Sequence, residues 1–156
     1  MDDAVLRSLA RWPDVPAVYG WLELDRRGNW RIKGERIANK AFRDFISRNY
    51  ESDSAGRWFF QNGPQRVFVR LAYAPLVVHY EGERLVDHCG RDFGVPDAFL
   101  LDEEGSVLAR REARIALLDD RDLERFAERA HELEQVRCAE LPGRFAFVPD
   151  PASAQR

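Results

Sequence analysis

Lysine is almost missing from this chain: of its 24 basic side chains only Lys33 and Lys40 are lysines. Cysteine is equally scarce, with Cys89 and Cys138 far apart and no Cys-x-x-Cys anywhere. That excludes a disulfide framework and the common zinc-binding patterns, so the reading is of a reduced, intracellular protein with no metal and no cofactor. No apolar run approaches the roughly 20 residues of a membrane span. The start, Met1-Asp2-Asp3, lacks the basic residues of a signal peptide, and the expectation is a cytoplasmic protein of bacterial character. A surplus of positive charge is also missing: the net charge is -3, which excludes nucleic acid and an anionic membrane as expected partners. Gly-x-Gly-x-x-Gly, P-loop, His-Glu-x-x-His and Gly-x-Ser-x-Gly motifs are all wanting. The arginines lie interleaved with acids, as on a solvated surface of a protein from a GC-rich genome.

What is present is a foldable chain of 156 residues, 45% apolar and 33% charged. Residues 2–11 set Val5, Leu6 and Leu9 on one helical face, and Pro13 ends that helix. Residues 18–24, rich in aromatic and branched side chains, read as a strand that turns through Asp25 to Gly28 and returns through the alternating Trp30-Arg31-Ile32. Asn39 caps a helix with Ala41, Phe42, Phe45, Ile46 and Asn49 on one stripe. A turn at Gln61 to Pro64 then leads into a strand over residues 66–72. Residues 74–96 read as a connecting hairpin reversing at Glu81-Gly82-Glu83. A further strand at 98–101, a turn at Asp102 to Gly105 and a charged return strand over 107–115, placed at an edge or with one side facing solvent, precede a helix from Asp119 or Asp120 to Glu134. Residues 136–148 read as extended and residues 150–156 as a fraying tail.

Two pairs of segments echo each other. Asp25-Arg26-Arg27-Gly28 returns as Asp102-Glu103-Glu104-Gly105, and Pro64-Gln65-Arg66-Val67-Phe68-Val69 returns as Pro142-Gly143-Arg144-Phe145-Ala146-Phe147. The expected fold is therefore α+β, one domain over 1–156 with a mostly antiparallel sheet. Two repeated hairpin-helix-strand units, about 17–73 and 97–149, would share one core.

The run Asp25 to Ile37, the helix after it, Trp58-Phe59-Phe60, Pro64, Arg66 to Val69 and Ala74-Pro75-Leu76 together resemble the bacterial domain-of-unknown-function family 1285, or a shorter proteobacterial relative of it. The resemblance covers about residues 21–78. It implies an α+β fold built from repeated motifs and a signalling or regulatory role, and it supplies no catalytic set.

Reactive side chains are densest at His79, His88, Cys89 and Arg91. A thiol at Cys89 with His79 as base would make a hydrolase or transferase, whereas neighbouring His88 and Cys89 face opposite ways in a strand and suit zinc poorly. The alternation of aromatics, arginines and amides in Arg57, Trp58, Asn62, Gln65, Arg66, Phe68 and Arg70 suits a small anionic or planar ligand. The expected function is a small-ligand or protein-binding regulatory module drawing on those residues with His79, His88 and Arg91. The enzyme and a structural homodimer are the alternatives.

Overall fold

Alternation of apolar and polar side chains builds two sheets in the computed structural model, which describes residues 12–153 together with Asp3 and Arg7. Apart from those two residues, the helix expected over 2–11 lies outside the described residues. The first sheet holds β1 (Ala17–Leu24), β2 (Trp30–Ile32), β3 (Glu35–Arg36), β4 (Tyr50–Ser52), β5 (Trp58–Asn62) and β6 (Gln65–Leu71) in the order β3-β2-β1-β6-β5-β4. Only β1 and β6 run parallel in it.

The second sheet holds β7 (Leu76–Glu81), β8 (Arg84–Asp87), β9 (Asp92–Gly94), β10 (Ala98–Leu101), β11 (Val107–Arg111) and β12 (Arg114–Leu118), with β13 (Glu134–Gln135) beside β10. Its first six strands follow the same order as those of the first sheet, with β7 and β12 as the parallel central pair. The protein is thus mixed α/β but dominated by two mostly antiparallel sheets. One cluster of buried side chains, including Leu24, Phe60 and Val69 from the first sheet and Val78, Leu100 and Leu108 from the second, forms the core.

The helix over residues 40–48 forms as the sequence predicts. In α1 (Lys40–Arg48), the Asn39 side chain accepts from the Phe42 N–H at 2.9 Å, and Phe42 and Ile46 are buried. Its last carbonyls are bound from the other sheet: the Arg91 guanidinium donates to the Ser47, Arg48 and Tyr50 carbonyls.

Four expectations fail for physical reasons. Residues 119–134 form 3-10 turns, with i→i−3 bonds such as Ala127 N–H to the Glu124 carbonyl, rather than a helix. Asp122 turns inward and accepts from the Tyr80 N–H at 2.8 Å. Residues 107–115 bend at Glu112 into the β11–β12 hairpin, and β11 lies between β10 and β12 instead of at an edge. Residues 74–96 include the first three strands of the second sheet, so the hairpin-helix-strand unit over 97–149 does not exist as such.

The last discrepancy concerns the second echo. Pro64 precedes a strand, but Pro142 stands in the short helix α2 (Leu141–Arg144). Beyond it the chain runs along the first sheet as a strap: the Val148 N–H donates to the Gly56 carbonyl and the Leu71 N–H to the Pro149 carbonyl. Pro151 is buried, so the described part of the tail is fastened down.

Candidate functional site

The chain uses one turn four times. At Asp25, Asp53, Asp87 and Asp102 the carboxylate accepts from the N–H groups two and four residues on. In each, a glycine three residues on, with positive φ, donates its N–H back to the aspartate carbonyl. Asp suits the first position because its short side chain reaches its own following backbone, and Gly suits the fourth because the left-handed conformation costs it nothing.

Two of these turns, at Asp25 in the first sheet and Asp87 in the second, meet face to face. Gly28 sits so close to His88 that a Cβ on it would stand 2.8 Å from the His88 Cβ. His88 packs its ring against Trp30 and Tyr50, with centroids 5.2 and 5.4 Å away. Its Nδ1 accepts from the Val77 N–H at 3.2 Å, so the ring proton belongs on Nε2. Nε2 is shielded and has no hydrogen-bond partner among the described residues. Burial, helped by the Arg91 charge, pushes the His88 imidazole down to about 3.

The Cys89 thiol is likewise withdrawn. Burial and then the Asp87 charge push it up to about 12, and its side chain bonds to Ser47 rather than to His79. It stays protonated at neutral pH, and its pairing with His79 as base is not formed.

Beside the facing turns the two sheets part to leave a cleft of about 310 Å³. Arg27 and Asn29 reach it from the first sheet. His79 and Glu81 of β7, with Asp119 and Arg121 after β12, line it from the second. Val77 and Val86 give it apolar surface. Asp119 Oδ2 pairs with Arg121 Nη2 at 3.2 Å, and His79 Nε2 lies 3.4 Å from Glu81 Oε1. Burial would raise the Asp119 carboxyl, but the Arg121 side chain and N–H outweigh it and hold it below its ordinary value.

The residues expected to act together are dispersed. His79 and His88 line the cleft. Arg91 binds the end of α1, as described. Arg57 pairs with Asp53 and lies over the Phe68 ring, which stacks on Tyr19. Trp58 packs on Tyr50 and lines a separate pocket of about 210 Å³. Asn62 donates to Gln65, itself buried and donating to the Pro13 and Val15 carbonyls. Arg66 covers Phe59, and Arg70 faces Glu23. These contacts explain the Arg-aromatic pattern by cation–π packing along the sheet.

Arg27, Asn29, Glu81, Asp119 and Arg121 were missed by sequence reasoning. The signal was the Asp-x-x-Gly spacing, which recurs at Asp53 and Asp87 as well as at the two noticed copies. A larger cleft of about 450 Å³ lies between the β2–β3 hairpin and α1, where Trp12, Trp21 and Phe42 meet Arg36 and Asn39.

The family model DUF2944, described as a protein of unknown function (DUF2946), matches residues 1–141. No curated protein matches. Two solved structures are similar in fold. A DUF1285 family protein from Silicibacter pomeroyi DSS-3 has a TM-score of 0.53 at 18% identity, covering 82% of this chain and 85% of that one. A DUF1285 family protein from Shewanella baltica OS155 has a TM-score of 0.52 at 15% identity, covering 69% and 90%. The likeness read over residues 21–78 therefore extends, as fold, over most of the chain. Among the described residues no helix is long and apolar enough to cross a membrane.

Proposed function

The chain belongs to the DUF2944 family, and we propose that it acts by binding rather than by catalysis, as a bacterial cytoplasmic regulatory module whose small ligand occupies the cleft between the two sheets. The observation that carries this reading is the cleft itself: two distant turns and the end of β12 bring Arg27, His79, Glu81, Asp119 and Arg121 around apolar surface from Val77 and Val86. The side chains with nucleophile or base chemistry support binding too. Cys89 is held as a thiol and His88 as a neutral ring committed to the Val77 N–H. The shared strand order of the sheets supports an origin as two related halves, with the ligand at their junction.

A thermal-shift screen against a metabolite library tests the proposal, since a ligand that prefers the folded state raises Tm by mass action. We expect a stabilising compound whose effect is lost in Arg27→Gln. A ligand equally effective on that variant, or no stabilising compound among nucleotides, organic acids, amines and amino acids, would overturn it.

A further inference from the structure

Resting on that reading of the cleft, we infer that its ligand is a small zwitterion of the α-amino acid class, carrying one carboxylate and one ammonium. The charges of the cleft point there. Asp119 and Arg121 neutralise each other across 3.2 Å. Among the described residues Arg27 makes no ion pair, and the one pairing of Glu81 is with the His79 ring, at 3.4 Å. Asp87 also lines the cleft, but its carboxylate is occupied by the Cys89 and Arg91 N–H groups, so the cleft presents one uncompensated cation on the wall from the first sheet and one weakly compensated anion on the wall from the second.

A simple anion would satisfy Arg27 and meet Glu81 and Asp119 as like charges; a simple cation would do the reverse. A molecule bearing both charges matches both walls. The Arg27 fork suits a carboxylate, which it can bind through two parallel N–H donors. Glu81, with Asp119 beside it, suits an ammonium. Val77 and Val86 offer apolar surface to an aliphatic side chain. The volume of about 310 Å³ accommodates one such molecule with water and is small for a nucleotide.

The test uses the full chain, isotope-labelled, titrated with individual free α-amino acids and with the N-acetyl derivative and methyl ester of each. NMR amide shifts report the site. At least one free amino acid should move the amides of Gly28, Val77 to Glu81 and Asp119 to Arg121, with each blocked derivative up to about fivefold weaker, the loss expected for one exposed charge contact. Arg27→Gln should weaken the free amino acid by up to about fivefold and leave the methyl ester unchanged; Glu81→Gln should do the converse with the N-acetyl derivative. Neither side chain supports the fold, so both variants should melt as the parent does. Simple carboxylates or simple amines binding this cleft as tightly as the zwitterion would sink the inference while leaving a ligand-binding cleft in place. Amino acids that bind elsewhere, or nowhere, would also sink it, and the library screen then decides the broader proposal separately.

Discussion

The turns at Asp25 and Asp87 share one backbone and one set of hydrogen bonds, yet they carry opposite cargo. The first projects Arg26 and Arg27 outward: Arg26 lies over the Tyr73 ring and Arg27 lines the cleft. The second turns His88 and Cys89 inward, against Trp30, Tyr50 and Ser47. The Asp-x-x-Gly frame thus sets only where the chain reverses. What the two central positions do depends on the surface the turn faces, and here each turn faces the other. The difference makes one turn an element of the core and its neighbour a wall of the cleft.

The glycines break the comparison most sharply. Gly28, Gly56 and Gly105 occupy the same place in their turns, with φ of 82°, 80° and 86°. An alanine at Gly105 would meet nothing within 4 Å. It should cost about 1–2 kcal/mol, the strain of a left-handed alanine. At Gly28 the Cβ would press on His88 and Val77, adding about 1–3 kcal/mol of overpacking. At Gly56 it would stand 2.1 Å from the Ala146 carbonyl oxygen and displace the strap, for a total above about 4 kcal/mol. Urea denaturation of the three variants should rank them Gly56→Ala, Gly28→Ala, Gly105→Ala. Equal losses would show that packing at these turns is slack.

His88 gives the inward turn a pH dependence in the histidine range. Its folded-state value, about 3, lies below the ordinary histidine value of roughly 6.5, so the unfolded chain takes up a proton first as pH falls. Stability should therefore be full above about pH 6.5 and decline below it, approaching roughly 1.4 kcal/mol per pH unit. His88→Leu leaves the Val77 N–H without its acceptor and should cost about 1–3 kcal/mol at pH 7. Because that variant has no proton to gain at this site, its deficit should narrow as pH is lowered toward 4. Denaturation curves that stay parallel between pH 7 and 4 would refute the assignment of the buried ring.

Much of the fold was legible in short-range pattern. The α1 helix is announced by Asn39 followed by Phe42 and Ile46, and nothing distant competes for its cap. Residues 119–134 carry an equally apolar stripe, but the Asp122 carboxylate is drawn to the Tyr80 N–H, 42 residues away, and no local rule anticipates that. The candidate site was less legible for a similar reason. His79 and His88 stood out by residue type, while Arg27 and Arg121 look like ordinary surface arginines until the sheets are set against each other. The aromatic-arginine run from Arg57 to Arg70 read as a ligand surface because cation–π packing along a strand uses the same residue types as ligand recognition.

The smallest effect separates the two aspartates themselves. Asp25 and Asp87 each accept two backbone N–H bonds, but burial, the largest influence on both, wins at only one. At Asp25 the backbone donors, with Arg31 at 2.8 Å, outweigh burial and hold the carboxyl below its ordinary value. At Asp87 burial prevails over the Arg91 and Cys89 donors and raises it. The linkage then has opposite signs. Asp25 contributes stability at neutral pH that fades as pH falls through its lowered value; Asp87 contributes stability at acid pH that fades as pH rises through its raised value. Asparagine keeps one acceptor oxygen for the two backbone N–H groups of each turn and removes the charge; at Asp25 it also puts a donor where Oδ2 accepts from Asn29 Nδ2 and Arg31 Nε. Asp25→Asn should accordingly destabilise at pH 7, by about 1 kcal/mol or less given its partial exposure, with a deficit that shrinks as pH falls toward 3. Asp87→Asn should move the other way, comparing better with the parent at pH 7 than at pH 3. Chemical denaturation of both variants at pH 3, 5 and 7 makes the comparison, and profiles of the same sign would mean that the two turns share their electrostatics as well as their backbone.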